Sequence, residues 1–215
     1  MKKTTILLVR HGESMGNVLK LFTGHSGYPL SDLGHTQAAR TAEYIHANYQ
    51  VDAVYSSDLP RAFQTAEHIA KAFKLPVITH AGLREIYAGD WENERFDALL
   101  PLYPDSFPLW RADFLNAYCV GGESVRQVAE RGAKALHEIA QANPGKCIVV
   151  ASHATTIRGA LWKVSGAPES EMQNMLYSAN CGVSELELVD GKLQIVSMNY
   201  AEHLAELQTV LPSNL

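Results

Sequence analysis

Three places in the sequence end an apolar run on a basic or imidazole side chain. "ILLVRHGES" at 6–14 runs four apolar residues into Arg10-His11-Gly12. "VDAVYSSDLPR" at 51–61 leads through Asp58-Leu59-Pro60 to Arg61 at a helix start. "CIVVASH" at 147–153 ends on His153, again at a helix start. A strand interior disfavours charge, so each run reads as a strand that delivers its last residues to its own carboxyl end. In open α/β sheets, ligands bind beyond those ends. Two arginines, two histidines and at least one helix N-terminus are therefore expected to converge. A guanidinium fork donates to two oxygens at once, and helix N-termini offer amide donors. Such a pocket suits a dianion, and phosphate is the obvious one. One strand-end arginine or histidine is usually a solvated or structural residue; three strand ends agreeing on one chemistry are harder to set aside.

The elements that would carry these residues alternate. Residues 5–10 and 147–152 are continuous apolar runs rich in Val and Ile, suited to strands buried on both faces. Weaker strands are expected at 51–57 and 75–80, and Asp190-Gly191 marks a hairpin turn between 184–190 and 192–199. Helical periods fall between them. Ala62, Ala66, Ile69, Ala70 and Phe73 share one side of 61–74, and Val125, Val128, Ala129, Leu136, Ile139 and Ala140 share one side of 124–142. Ser124 and Gln127 form a capping box, and Asn143-Pro144-Gly145 stops the helix. Shorter helices are expected at 35–48 and 155–165, and another near 168–177 with Pro168 in its first turn. The expected fold is α/β: a mainly parallel sheet with helices on both faces, in a single domain spanning 1–215. A small cap insertion around 87–120 interrupts the alternation; between Tyr87 and Tyr118 it holds eight of the eighteen aromatic residues.

Composition removes several functions. The net charge is −5 with no basic run, so nucleic acid and anionic membrane are poor partners. No apolar stretch approaches the roughly 20 residues that span a bilayer. The start "MKKTTILLV" has too short an apolar run for a signal sequence, and Arg10 ends it. Cys119, Cys147 and Cys181 are odd in number and widely spaced, which suits reduced thiols in the cytoplasm. No H-E-x-x-H or Cys/His cluster points to a metal, and no Walker loop or G-x-G-x-x-G to a nucleotide, so no cofactor is expected.

The ordered segments "LVRHGES", "SSDLPRAFQTA", "GLREIYAGDWE", "GGESVRQVAER" and "VVASHATTIRGAL", spanning residues 5 to about 165, resemble the histidine phosphatase superfamily in its phosphoglycerate-mutase-like branch. That resemblance implies an α/β fold and a phosphohistidine mechanism. His11 matches the nucleophile, Arg10 and Arg61 the phosphate-binding arginines, and His153 the second histidine, a donor to the phosphoryl group. Glu85 is the implied general acid, with a structural salt bridge to Arg84 or Arg10 as its alternative; Glu92 is the competing carboxylate, read as structural. Asn17 matches a phosphate-pocket position, and Thr23 and Gly24 a loop that contacts substrate. The family usually has glycine where Ala154 and Asn93 stand. An attacking imidazole must be neutral, and Arg10 and Arg61 would disfavour its cation. The other histidines read as surface or core residues, with His25 set apart because it follows Thr23-Gly24.

Phosphohistidine can pass its phosphoryl group to water or to a second hydroxyl. Cofactor-dependent glycolytic mutases carry a longer, arginine-rich insertion and a basic segment after the acid glutamate. Here "IYAGDWENERFDALLPLYPDSF" follows, acidic and aromatic with Arg95 as its one base. A phosphomonoesterase acting on a small phosphorylated metabolite is the expected function. A cofactor-dependent phosphoglycerate mutase and a non-catalytic phosphate-binding relative are the alternatives. The aromatic cap is expected either to select an uncharged or apolar leaving group or simply to form its own core.

Overall fold

The computed structural model describes residues 3–209; Met1 and Lys2 of the basic tip lie outside the described residues. The elements in chain order are β1 (Thr4–Arg10), α1 (Met15–Val18), α2 (Asp32–Asn48), β2 (Ala53–Ser56), α3 (Pro60–Phe73), β3 (Val77–Thr79), α4 (Phe96–Leu102), α5 (Leu109–Ala112), α6 (Val125–Ala142), β4 (Cys147–Ser152), α7 (Ala154–Ser165), β5 (Val183–Val189) and β6 (Lys192–Tyr200). One sheet orders them β3-β2-β4-β1-β5-β6. The first four are mutually parallel; β5 runs antiparallel beside β1, and β6 runs antiparallel beside β5. β4 lies between β1 and β2, with Arg10 opposite Ser152 and Ser56 opposite Ala151. The three strands singled out by their endings are thus neighbours whose carboxyl ends are level.

Alternation along each strand builds two cores. Ile6, Leu8, Ile148 and Val150 face α6 and α7, where Leu136, Ile139, Ile157 and Leu161 close over them. Leu7, Val9, Val149 and Ala151 face α2 and α3, against Ala42, Ile45, Ala66 and Ile69. A fully buried aliphatic side chain of this kind contributes about 1.5–3 kcal/mol, which holds the strand ends rigidly in place.

The segment after β1 packs directly on α2. A Cβ on Gly12 would lie 2.5 Å from Gly34 O, and one on Gly34 would lie 1.9 Å from Glu13 O. Neither position admits a side chain, which explains the glycine that ends the first strand.

The helix expected near 168–177 is only a 3₁₀ turn, Glu169–Asn174, with Pro168 before it. Met172 is its one buried residue, and Arg158 takes the carbonyls of Met172 and Gln173 (3.3 and 2.8 Å). An α-helix lacks both the apolar face and the free carbonyls to form there.

The aromatic segment is a third core. Trp91, Phe107, Trp110 and Phe114 are buried with Phe22, Val125, Val128 and Trp162. Backbone bonds join it to the chain after α1: Phe22 N donates to Glu94 O (2.8 Å), and Asn93 N to Phe22 O (2.9 Å). Asn93 has φ +69°, a left-handed conformation that asparagine tolerates, so the turn stands without the family's glycine.

Candidate active site

Arg10, the last residue of β1, points its guanidinium along the sheet end, where Nη1 donates to Ser178 O (2.5 Å) and Nε has no partner. His11 follows. Its Nδ1 lies 2.7 Å from Gly12 O. A carbonyl only accepts, so Nδ1 carries the proton and Nε2 keeps its lone pair. Asn180 Nδ2 donates to His11 O (3.0 Å), and Thr65 Oγ1 accepts from Gly12 N (3.1 Å), so the backbone around the ring is held on both sides.

Arg61, in the first turn of α3, is 1% exposed. Its Nε donates to His11 Nε2 (3.3 Å), Nη1 to Ser26 O (3.0 Å) and Nη2 to Gly24 O (2.8 Å). His153 caps α7 beyond β4, and its ring centroid is 5.1 Å from that of His11. Ser57 Oγ sits 2.8 Å from its Nε2, while its buried Nδ1 has no partner.

Glu85 comes from an irregular stretch beyond β3. Its Oε1 accepts from Ile86 N (2.9 Å), Thr156 N (3.3 Å) and Thr156 Oγ1 (3.4 Å). Oε2 accepts from Thr155 N alone (3.2 Å). Most of the helix N-terminal amides expected to serve the anion are engaged within the protein. The amides of Thr155 and Thr156 serve Glu85, and those of Ala62 and Phe63 bond to Leu59 O (both 3.0 Å). The N–H of Ala154, at the first helical position, has no intrahelical acceptor.

A cleft opens over this cluster. Arg10, His11, Asn17, Thr23, Gly24, Glu85 and Ala154 all line it. Arg61 and His153 lie against the His11 ring, Arg61 Nε 3.3 Å from its Nε2 and the His153 centroid 5.1 Å away. The remaining wall is Leu21, Phe22, Ile86, Phe96, Trp110, Thr155 and Tyr177. Asn17 spends Oδ1 on the N and Oγ of Ser14 (both 3.0 Å). Glu92 does not line the cleft. It accepts from His25 N (2.7 Å) and Ser26 Oγ (3.1 Å) and so pins the Thr23–Ser26 loop. Glu85 makes no ion pair with Arg84, which pairs instead with Asp58.

Burial drives the electrostatics. It pushes His11 well below an ordinary imidazole's 6.5, with Arg61 and then Arg10 adding to the shift. His153 is also pushed well down, by burial and then Arg61. Burial lowers both arginines to about 10, where they remain charged at neutral pH. The same imidazoles titrate near 6.5 once the chain unfolds. Below that pH the unfolded chain takes up protons the native chain refuses. Stability is therefore complete above about pH 6.5 and lost as pH falls toward the native values. Each group costs at most about 1.4 kcal/mol per pH unit. Urea unfolding is expected to show a loss of roughly 2 kcal/mol from about pH 7 to about 5.5, beyond what surface carboxylates contribute. A His153→Gln variant should show a shallower slope, and equal slopes would contradict a neutral, buried His153.

Several contributors had little sequence signal. Ser57 and Thr155 flank residues that were singled out, but nothing local marks them as partners. Leu21, Phe22 and Tyr177 reach the cleft only through tertiary packing, and Asn180 only through the turn before β5.

Fold and pocket together define an α/β protein with a histidine, held well below the usual imidazole pKa, lining a cleft at its sheet end. The family described as Histidine phosphatase superfamily (branch 1) matches residues 6–201, and the chain belongs to it. Phosphoglycerate mutase-like protein 4 of Arabidopsis thaliana is 33% identical over 204 residues, covering 94% of this chain and 87% of its own. Phosphoserine phosphatase 1 of Hydrogenobacter thermophilus is 29% identical, covering 94% of each. Among solved structures, a mycobacterial glucosyl-3-phosphoglycerate phosphatase superposes with a TM-score of 0.82 at 26% identity, covering 92% of this chain and 99% of its own. No helix among the described residues is long and apolar enough to cross a membrane.

Proposed function

We propose that this chain is a phosphomonoesterase that transfers a phosphoryl group from a small phosphate ester to His11 and then to water. The observation that carries the reading is His11 itself: a buried imidazole whose Nδ1 proton is committed to Gly12 O, with Nε2 facing the Arg61 guanidinium at 3.3 Å. Two similar proteins named as phosphatases, for phosphoserine and for glucosyl-3-phosphoglycerate, support it.

The Nε2 lone pair attacks phosphorus, and the N–P bond forms as the ester P–O bond breaks. Charge on the phosphoryl oxygens is met by Arg10, by Arg61 once its Nε turns from the imidazole, by the Nδ1–H of His153 and by the amide of Ala154. Ser57 Oγ donating to His153 Nε2 would fix that tautomer. The leaving oxygen takes a proton from Glu85. Oε2, with one hydrogen bond against three on Oε1, is the oxygen with room to carry it. Water then attacks the phosphohistidine and returns its proton to Glu85, and the N–P electron pair goes back to His11. Asn17, Thr23 and Gly24 flank the phosphate from the opposite loop.

Among the described residues, Arg10 is the one arginine or lysine on the cleft wall, much of which is Leu21, Phe22, Ile86, Phe96 and Trp110. A second anionic group would find no second arginine or lysine among the described residues of the wall. This favours a phosphatase over a mutase and an uncharged, apolar leaving group over a charged one. The cap is mostly its own core, and only Phe96 and Trp110 of its rings reach the cleft. A small phosphorylated metabolite in the cytoplasm is the partner and setting we assign.

Phosphate release from p-nitrophenyl phosphate tests the reaction, and no release above background would refute it. Incubation with 3-phosphoglycerate, with and without 2,3-bisphosphoglycerate, separates the classes. Rapid appearance of 2-phosphoglycerate would replace the phosphatase reading with the mutase one.

A further inference from the structure

Glu85 stands on a stretch, Arg84–Ala88, that belongs to no helix or strand. A carboxyl group that delivers a proton to a leaving oxygen must nevertheless be held within a fraction of an ångström. Arg131 of α6 accounts for the rigidity. Its Nη1 donates to Gly82 O (3.0 Å) and Arg84 O (2.8 Å), and its Nη2 to Glu85 O (3.1 Å). Nε and Nη2 bind Glu123 Oε1 and Oε2 (3.0 and 2.9 Å). All five donors are in use, two of them on carbonyls of the acid-bearing stretch and one on Gly82 O just before it. Glu123 completes the frame: Oε2 accepts from Tyr87 N (2.9 Å) and its own N–H donates to Tyr87 O (2.8 Å). The acidic residue of "GGES" thus has a use beyond the turn and helix cap that its neighbours form.

We infer that Arg131, oriented by Glu123, is a positioning residue for the proton donor of this enzyme. It fixes the backbone from Gly82 to Tyr87 so that Glu85 Oε2 meets the leaving oxygen. The inference rests on the assignment of Glu85 as general acid. Lysine could reach one or two of these carbonyls but cannot reproduce a planar fork that binds a carboxylate and three carbonyls together. The pair Arg131 and Glu123 is only partly buried, each side chain 24% exposed, so replacing it leaves the main cores intact.

A positioning role and a purely structural one differ in how they treat leaving groups. Expulsion of p-nitrophenolate needs little proton transfer; expulsion of an alkoxide needs a great deal. Benzyl phosphate and p-nitrophenyl phosphate are similar in size and both suit an apolar wall. Arg131→Met is expected to lower kcat on benzyl phosphate about a hundredfold, and kcat on p-nitrophenyl phosphate by less than about fivefold, with KM little changed on either. Arg131→Lys should show the same selectivity to a smaller degree and covers the case in which the methionine variant fails to fold. A fall of equal factor on both esters in Arg131→Lys, or no fall on either, overturns the inference. Wild-type protein inactive on both esters would instead remove the phosphatase reading and this inference with it.

Discussion

His11→Ala is expected to lose about ten-thousand-fold or more in kcat on p-nitrophenyl phosphate, with its circular dichroism unchanged. Removing a nucleophile removes the covalent route itself, and what remains is the modest rate that binding and charge stabilisation supply alone. The surrounding structure survives because the ring is held by its own backbone contacts and bears no part of the sheet. Gly12 O loses a donor at 2.7 Å, a cost of about 1 kcal/mol. A denaturing quench during turnover should trap phosphate on wild-type protein as an acid-labile, alkali-stable phosphoramidate, and none on His11→Ala. A variant that kept a tenth of wild-type kcat, or a wild-type adduct stable to acid, would place the nucleophile elsewhere.

Arg61→Met should cost about a thousandfold in kcat/KM, shared between both constants. A guanidinium facing a transferring phosphoryl group is worth roughly a thousandfold or more. The same side chain ties Ser26 O and Gly24 O at 3.0 and 2.8 Å, so the loop that flanks the substrate loosens and KM rises as kcat falls. Arg61→Lys should recover little, since an ammonium cannot serve the imidazole and two carbonyls from one plane. A pH profile supplies an independent sign. Arg61 is the largest charge that depresses His11, after burial. Its removal moves the imidazole back toward 6.5, so the acid limb of the variant's profile shifts to higher pH. An acid limb unchanged from wild type would mean that Arg61 does not act on the nucleophile.

Much of this was legible because the signals were local. Continuous Val- and Ile-rich runs mark strands that are buried on both faces, and β1 and β4 appear where those runs lie. The capping box of Ser124 and Gln127 is present as read. Elements with weaker local drive shrank: the strand expected at 75–80 is three residues, Val77–Thr79, at a sheet edge, and the helix near 168–177 is a 3₁₀ turn. The rings of the aromatic cap mostly form a core of their own, and Phe96 and Trp110 also line the cleft, since side-chain direction in an irregular segment depends on what the rest of the chain packs against it.

What the sequence determined by itself was the chemical inventory and its delivery: an arginine, an imidazole and a glycine at one strand end, Arg61 and His153 after two others, on an α/β alternation. Local periodicity and strand-end composition suffice for that. Only the tertiary structure decided that β4 would lie between β1 and β2 and so bring those ends level. It also decided that Arg61 and His153 would close on the His11 ring, and that the amides of Thr155 and Thr156 in α7 would hold Glu85. These are contacts between residues tens of positions apart, chosen by how the sheet stacks and the helices pack. No short window of sequence contains the geometry that makes them.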